Sequence, residues 1–350
     1  MRNYPGSSAP VGSTLTEGYR KRQYRARLAT ALLLLFVLLA AAITLTCGAT
    51  FYSPSTVLQV LRGVEVEGAT FTIYTLRLPR MLAGLLAGAA FGMAGSTFQS
   101  LLHNPLASPD IIGVTSGSSV AAVFCILFLR LSGLAVSLAA VLSGLIVSAL
   151  IYALARGGGF SNGRMILVGI GMQALLNSII SYLLLKAAQY DVASALRWLN
   201  GSLNGVRLSS IPPLLIMVLA AGAALLLLER TLLVMQLGPE YPVSLGVKTT
   251  VARLGAILLA LFLTAFATAV TGPIASVAFL SGPIATRLTG HGRGDTIAAG
   301  LVGAGLVLVA DLVGQNLLPA RYPVGVITGI LGAPYLLLLL LRIHRKGERV

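Results

Sequence analysis

Apolar residues run along this chain in long blocks, without the alternation of half-buried strands or the one-sided stripe of a surface helix. Blocks lie near residues 28–47, 80–102, 111–129, 134–155, 165–185, 211–228, 251–270, 273–287, 296–316 and 324–342. Most approach the roughly 20 residues that a helix needs to cross the hydrocarbon of a bilayer. Lipid offers no partner to open backbone groups, so helices are the expected elements, and barrel strands would alternate where these runs do not. The pattern therefore predicts an all-α polytopic membrane protein of ten spans.

Composition agrees, with 350 residues, 56% hydrophobic and only 10% charged, and a mean hydropathy of +0.90. An even number of spans puts both termini on one side. The cluster Arg20, Lys21, Arg22, Arg25 and Arg27 makes that side the cytoplasm by the positive-inside rule, and Arg342, Arg345, Lys346 and Arg349 agree. Of the 25 Lys and Arg residues, ten spans place 17 inside and 8 outside. The net charge of +15 is thus read as topology. It is spread over loops and termini with no basic domain, so no nucleic-acid partner is expected.

Residues 1–27 are polar and carry Pro5, Pro10 and several Gly and Ser, the composition of a disordered cytoplasmic tail. Residues 343–350 form a second tail. The first apolar run is too long for a signal-peptide core and is expected to stay as a span. In the outer loop 48–79, Ser53 as cap, Pro54 at the first helical position and Gly63 as terminator predict a short interfacial helix. Cys47 and Cys125 are read as small hydrophobes.

The second apolar run sets Gly84, Gly88, Gly92 and Gly95 at small-xxx-small spacing, which lets two membrane helices approach closely. Arg77-Leu78-Pro79-Arg80 precedes it, and Asn104-Pro105-Leu106-Ala107 and Gly113-Val114-Thr115-Ser116-Gly117 follow. Further on come Gly272-Pro273-Ile274, Pro283 with Arg287, Asp311, Pro323-Val324-Gly325-Val326 and Gly332-Ala333-Pro334. In these motifs, over roughly residues 50–342, the chain resembles the iron-siderophore and vitamin B12 family of ABC importer permeases. The resemblance implies the type II importer permease architecture in the plasma membrane, with a permease domain over 28–342. The implied partners are ABC ATPase subunits, a substrate-binding protein and a second permease subunit, identical or related. The implied cargo is a ferric siderophore, with haem or cobalamin as alternatives.

The resemblance also assigns sites. Arg77 and Arg80 match the family's outer arginines, which receive acidic residues of the binding protein through charge-assisted hydrogen bonds. A third basic position is Gln315 here, and Arg321, six residues later, is expected to compensate. The inner loop 229–250, with Leu237-Gly238 and Leu245-Gly246 around Glu240, matches the region that forms two short coupling helices against the ATPase. Pro239 suits a helix start, whereas Pro242 would remove a backbone donor if it lay deeper.

The residues themselves exclude other classes. None of Lys21, Lys186, Lys248 or Lys346 follows glycine, so the chain has no Walker A loop, and ATP hydrolysis is expected on another subunit. Gly290-His291-Gly292-Arg293-Gly294 lies between spans with no strand before it and reads as an inner turn. His103, His291 and His344 have no ligand spacing, so neither a metal site nor a cofactor is expected. No nucleophile and base are paired, so the chain is not expected to be an enzyme. Polar residues within spans face a cavity or another helix; Gln173, Asn177, Ser178 and Tyr182 in the fifth and Thr115 and Ser116 in the third are the pathway candidates. Asp311 is the one carboxylate well inside a span. It raises the rival reading of an ion-coupled secondary transporter, though its isolation favours a structural role, accepting backbone or hydroxyl hydrogen bonds where helices pack.

Overall fold

The computed structural model describes residues 11–155, 162–238, 240–290 and 295–347, and every predicted span is met by a helix. In chain order these are α1 (Val11–Thr46), the short α2 (Pro54–Leu61), α3 (Leu78–Leu102), α4 (Val114–Leu127), α5 (Leu134–Ala155), α6 (Asn162–Lys186) and the short α7 (Gln189–Leu199). Then follow α8 (Ile211–Met235), the five-residue α9 (Glu240–Ser244), α10 (Thr249–Thr271), α11 (Val277–Thr289), α12 (Thr296–Asn316) and α13 (Val324–Gly347). The described residues hold no strand. Seven helices are long and apolar enough to cross a membrane, and α4 and the apolar part of α13, Val324–Leu338, are shorter. The span expected over 273–287 starts late, at Val277, because Gly272 (φ 70°) and Ser276 (φ 65°) both turn left-handed before it.

The expected tail is partly overturned. α1 begins at Val11, so residues 11–27 are helical, and 1–10 lie outside the described residues. After Pro10 no proline interrupts the chain before the membrane, and Leu, Glu, Lys, Arg and Gln propagate a helix whose nucleus the apolar run supplies. The tail expected at 343–350 is likewise helical to Gly347. Of the turn around His291, Gly290 (φ 101°) ends α11, and residues 291–294 fall outside the described residues, as does Pro239. At α2 the expectation holds: the Ser53 hydroxyl accepts from the Thr56 amide at 3.2 Å, Pro54 opens the helix, and Gly63 (φ 86°) follows its end.

α3 is the central helix. It packs against α12, α10, α11 and α8, and a one-turn-and-a-half π-helix, Phe71–Arg77, leads into it. Gly88 and Gly92 lie four residues apart on one face, against Ala299, Gly300 and Gly303 of α12. A Cβ on Gly88 would sit 2.5 Å from the Gly303 carbonyl oxygen, and one on Gly92 would strike the Ala299 carbonyl. Gly95 meets Ala278 of α11 in the same way. Here the glycines act by close approach of backbone to backbone, the only way two helices gain this much contact without a hydrophobic drive.

At the end of the bundle that holds the last turn of α10, three more glycines close a junction. The Ser202 amide donates to the Thr271 carbonyl at 2.7 Å, and the Gly325 amide donates to the Gly201 carbonyl at 3.2 Å. A Cβ at Gly201, Gly272 or Gly325 would strike the carbonyl of Pro273, Trp198 or Asn200 respectively. Gly272-Pro273 and Pro323-Val324-Gly325, distant in sequence, thus form one joint between the loop after α7, the end of α10 and the start of α13.

Substitution of Gly88 separates these effects. Gly88→Ala gains about 0.5–1 kcal/mol of helix propensity but must push α12 away, and overpacking costs about 1–3 kcal/mol; the net expectation is a lower unfolding temperature of the detergent-solubilised chain. Gly255→Ala on α10, whose Cβ would meet only the Leu228 side chain at 3.8 Å, is expected to raise it.

Candidate functional site

Arg77 and Arg80 lie at one end of the bundle, where the sequence places the outer surface, but both are consumed within the chain. Arg77 is buried, 8% exposed. Its Nη1 donates to the Leu45 and Thr46 carbonyls, both at 2.9 Å, its Nη2 donates to the Thr50 carbonyl, and the guanidinium lies 5.1 Å from the centre of the Tyr52 ring. The last carbonyls of a helix have no intrahelical partner, and Arg77 caps those of α1. A docking role does not fit this placement.

Arg80 grips Asp311 with two parallel bonds, Nε to Oδ2 and Nη2 to Oδ1, both 2.6 Å, and its Nη1 donates to Asn204 Oδ1 at 2.5 Å. The Asp311 side chain is 4% exposed and that of Arg80 18%. This forked geometry joins α3 to α12 at the same end and uses Arg80's strongest directions. Asp311 therefore holds helices together, as its structural reading expected, but its partner is an arginine and not the backbone or hydroxyl donors expected for it. Arg321 is different: it is exposed, in the turn between α12 and α13. Gln315 supports that turn, its Nε2 donating to the Tyr322 carbonyl at 3.3 Å.

At the opposite end, the loop between α8 and α10 contains one short helix, α9, instead of the two expected. Gly238 (φ 117°) and Gly246 (φ 73°) break the backbone on either side. Leu237, Glu240, Tyr241, Val243 and Leu245 all project outward, the four apolar ones 63–66% exposed. Pro242 is buried and third in the helix, within the first turn, where amides have no intrahelical partner, so it costs no hydrogen bond.

The polar residues of the spans divide. On α6, Asn177, Ser178 and Tyr182 are exposed and Gln173 half-buried, on a helix only 17% buried in its most apolar stretch. The Ser178 hydroxyl donates to the Ala174 carbonyl of its own helix. On α4 the candidates turn inward: Ser116 is buried, and Thr115 donates to Asp110 Oδ1 at 2.8 Å. The same face bonds α5, with Ser118 donating to the Ala140 carbonyl and Ser143 to that of Gly117. α4 thus serves packing, and only the α6 set faces out of the chain. Asp110 was missed by the sequence reading. Its signal was an acid two residues after Ser108 at a helix start; desolvation pushes its carboxyl above the ordinary range, against hydrogen bonds from Thr115 and Ser108. Asn204, also missed, carries no local signal.

A helical membrane bundle with an exposed short helix on one face and an arginine-bearing rim on the other is the form of a transport permease. The chain belongs to the FecCD transport family, which it matches over residues 32–342. It is 38% identical to the ferric enterobactin transport system permease protein FepG of Escherichia coli (strain K12), covering 92% of this chain and 98% of that one. The achromobactin transport system permease protein CbrC of Dickeya dadantii (strain 3937) is 37% identical over 90% and 91%. The vitamin B12 import system permease protein BtuC of Serratia proteamaculans (strain 568) is 30% identical over 95% and 98%. A solved metal-chelate type ABC transporter in an inward-facing conformation superposes with a TM-score of 0.78 at 28% identity, over 90% of this chain and 99% of that one.

Breaking the Arg80–Asp311 pair is expected to destabilise the bundle toward the lower end of about 3–5 kcal/mol, since Arg80 keeps some solvent. Asp311→Ala should lower the unfolding temperature more than the double variant Arg80→Met with Asp311→Leu, which leaves no unpaired charge. Melting curves read by size-exclusion chromatography in detergent make the comparison.

Proposed function

We propose that this chain is the membrane permease of an ATP-driven importer for a ferric siderophore, paired with a second permease subunit, supplied by a substrate-binding protein and powered by separate ATPase subunits. The observation that carries the reading is the α8–α10 loop: a five-residue helix between two left-handed glycines, displaying apolar side chains to a partner. Leu237, Tyr241, Val243 and Leu245 suit an apolar groove on an ATPase subunit, and Glu240 its rim. Such a surface has no use in a carrier driven by an ion gradient, and Asp311 is committed to Arg80, so the ion-coupled alternative loses its coupling site.

Substrate class rests on the relatives: those at 37–38% identity are siderophore permeases, whereas the vitamin B12 permease stands at 30%. Both termini face the cytoplasm of the inner membrane in this reading, as the basic residues favour. The exposed side chains of α6 line the pathway together with the partner subunit. Docking of the binding protein falls to Arg321, whose turn Gln315 braces; Arg77 and Arg80 support the surface from below.

In vesicles containing the chain with its ATPase subunits, uptake of a ferric siderophore should require ATP and survive an ionophore. Uptake that persists without any ATPase and collapses with the ionophore overturns the reading, and ferric-siderophore indifference with cobalamin or haem uptake reassigns the cargo. Gly246→Val forces a β-branched residue into a left-handed backbone, at about 1–2 kcal/mol, and should lower transport-linked ATP hydrolysis severalfold while the solubilised chain stays folded, its melting temperature lowered by only a few degrees.

At the outer face, Arg321→Ala should weaken binding-protein affinity by fivefold at most, since exposed ion pairs contribute about 0.2–1 kcal/mol. Arg321→Glu adds repulsion, and its effect should grow as ionic strength falls. Affinity of the binding protein for the solubilised complex across salt concentrations is the measurement.

A further inference from the structure

α1 and α8 both pack beside α12 and leave a groove of about 660 Å³ between them. Its walls sort by depth. Arg27 of α1, Glu229 and Arg230 of α8 and Asp295 at the start of α12 stand at one level of the groove, with Leu233 of α8 about one turn beyond them. On the other side of that level the lining becomes apolar: Leu34 on α1, Leu226 on α8 and Leu301 on α12. At 1.5 Å rise per residue, Leu34 lies about 10 Å along its helix from Arg27 and Leu301 about 9 Å from Asp295. Two helices running one way and one running the other thus place charge at one level and leucine at the next, the profile of a bilayer's headgroup-to-chain boundary.

The charges are of both signs. Arg27 and Arg230 are exposed. Asp295 stands where a helix cap would be, yet its side chain makes no capping hydrogen bond. Glu229 already has an interaction within the chain, so a purely anionic ligand would satisfy the two guanidiniums and be repelled by Asp295. A headgroup that joins a phosphate to a primary ammonium suits the two guanidiniums and Asp295. The phosphate accepts from Arg27 and Arg230, the ammonium donates to the Asp295 carboxylate, and the acyl chains lie along the three leucines.

We propose that this groove is a binding site for a zwitterionic aminophospholipid of the cytoplasmic leaflet. The inference is independent of the transported cargo. The lipid bridges the amino-terminal helix to α8 and α12 at the level of the inner loops.

The test uses the full-length chain, delipidated in detergent, with phosphatidylethanolamine, phosphatidylcholine and phosphatidylglycerol offered at equal concentration and bound lipid counted by native mass spectrometry. Phosphatidylethanolamine should be retained over phosphatidylcholine, whose methylated ammonium donates no hydrogen bond. Soluble phosphoethanolamine, lacking chains, should not be retained. Arg230→Gln and Asp295→Asn should each reduce phosphatidylethanolamine binding about tenfold or more, the change expected of one lost charge-assisted hydrogen bond. Arg27→Gln supplies an independent lesion if Arg230→Gln fails to fold, and melting without lipid identifies such a failure. Equal retention of the three lipids, preference for phosphatidylglycerol, capture of phosphoethanolamine alone, or binding unchanged in folded variants would each overturn the proposal.

Discussion

The constraint on which the bundle depends is the backbone contact between α3 and α12. Lipid is as apolar as leucine, so helices in it are not driven together by hydrophobicity and must gain their association from close packing and polar bonds. Gly88 and Gly92 on one helix and Gly303 on the other remove the side chains that would keep the axes apart. The Arg80–Asp311 fork then fixes the register of the two helices at one end. With that pair set, α10, α11 and α8 fill the remaining faces of α3. Sequence spacing makes the glycine face continuous, and packing turns that face into the axis of the fold.

The outer layer is held by another means. α4 and α5 are joined by hydroxyl groups that reach carbonyls of the neighbouring helix, Ser118 to Ala140 and Ser143 to Gly117. Such bonds are modest singly, but in hydrocarbon their alternative is an unsatisfied group. α6 lies beyond this layer with most of its surface open.

Function follows from which charged and irregular segments the bundle leaves uncommitted. Two of the three expected docking arginines are spent internally, one closing the end of α1 and one locking α3 to α12, and only the third, Arg321 in the turn after α12, is left exposed. At the other face α9 is suspended between α8 and α10, both packed on α3. Force applied to α9 therefore has a contiguous route into the central pair, through rigid helices rather than through loops.

The spans and the short capped helix at Ser53 and Pro54 were legible in the sequence. Each depends on local chemistry: hydrocarbon thickness against run length, an orphan amide against a nearby hydroxyl. The glycines of α3 were legible as a face for close approach, though not the helix they approach. The sequence could not tell that Arg77 would be buried against the carbonyls of α1, that Arg80 would find Asp311 at a separation of 231 residues, or that Thr115 would turn inward to Asp110. It likewise could not show that the first turns of α1 would extend through the polar tail, because propagation from an apolar nucleus competes there with composition. A side chain of one kind can anchor, cap, pair or dock, and those uses differ only in which carbonyl or carboxylate lies within about 3 Å of it. That neighbour is supplied by the packing of distant helices, which is why the tertiary structure alone decided the roles of the arginines.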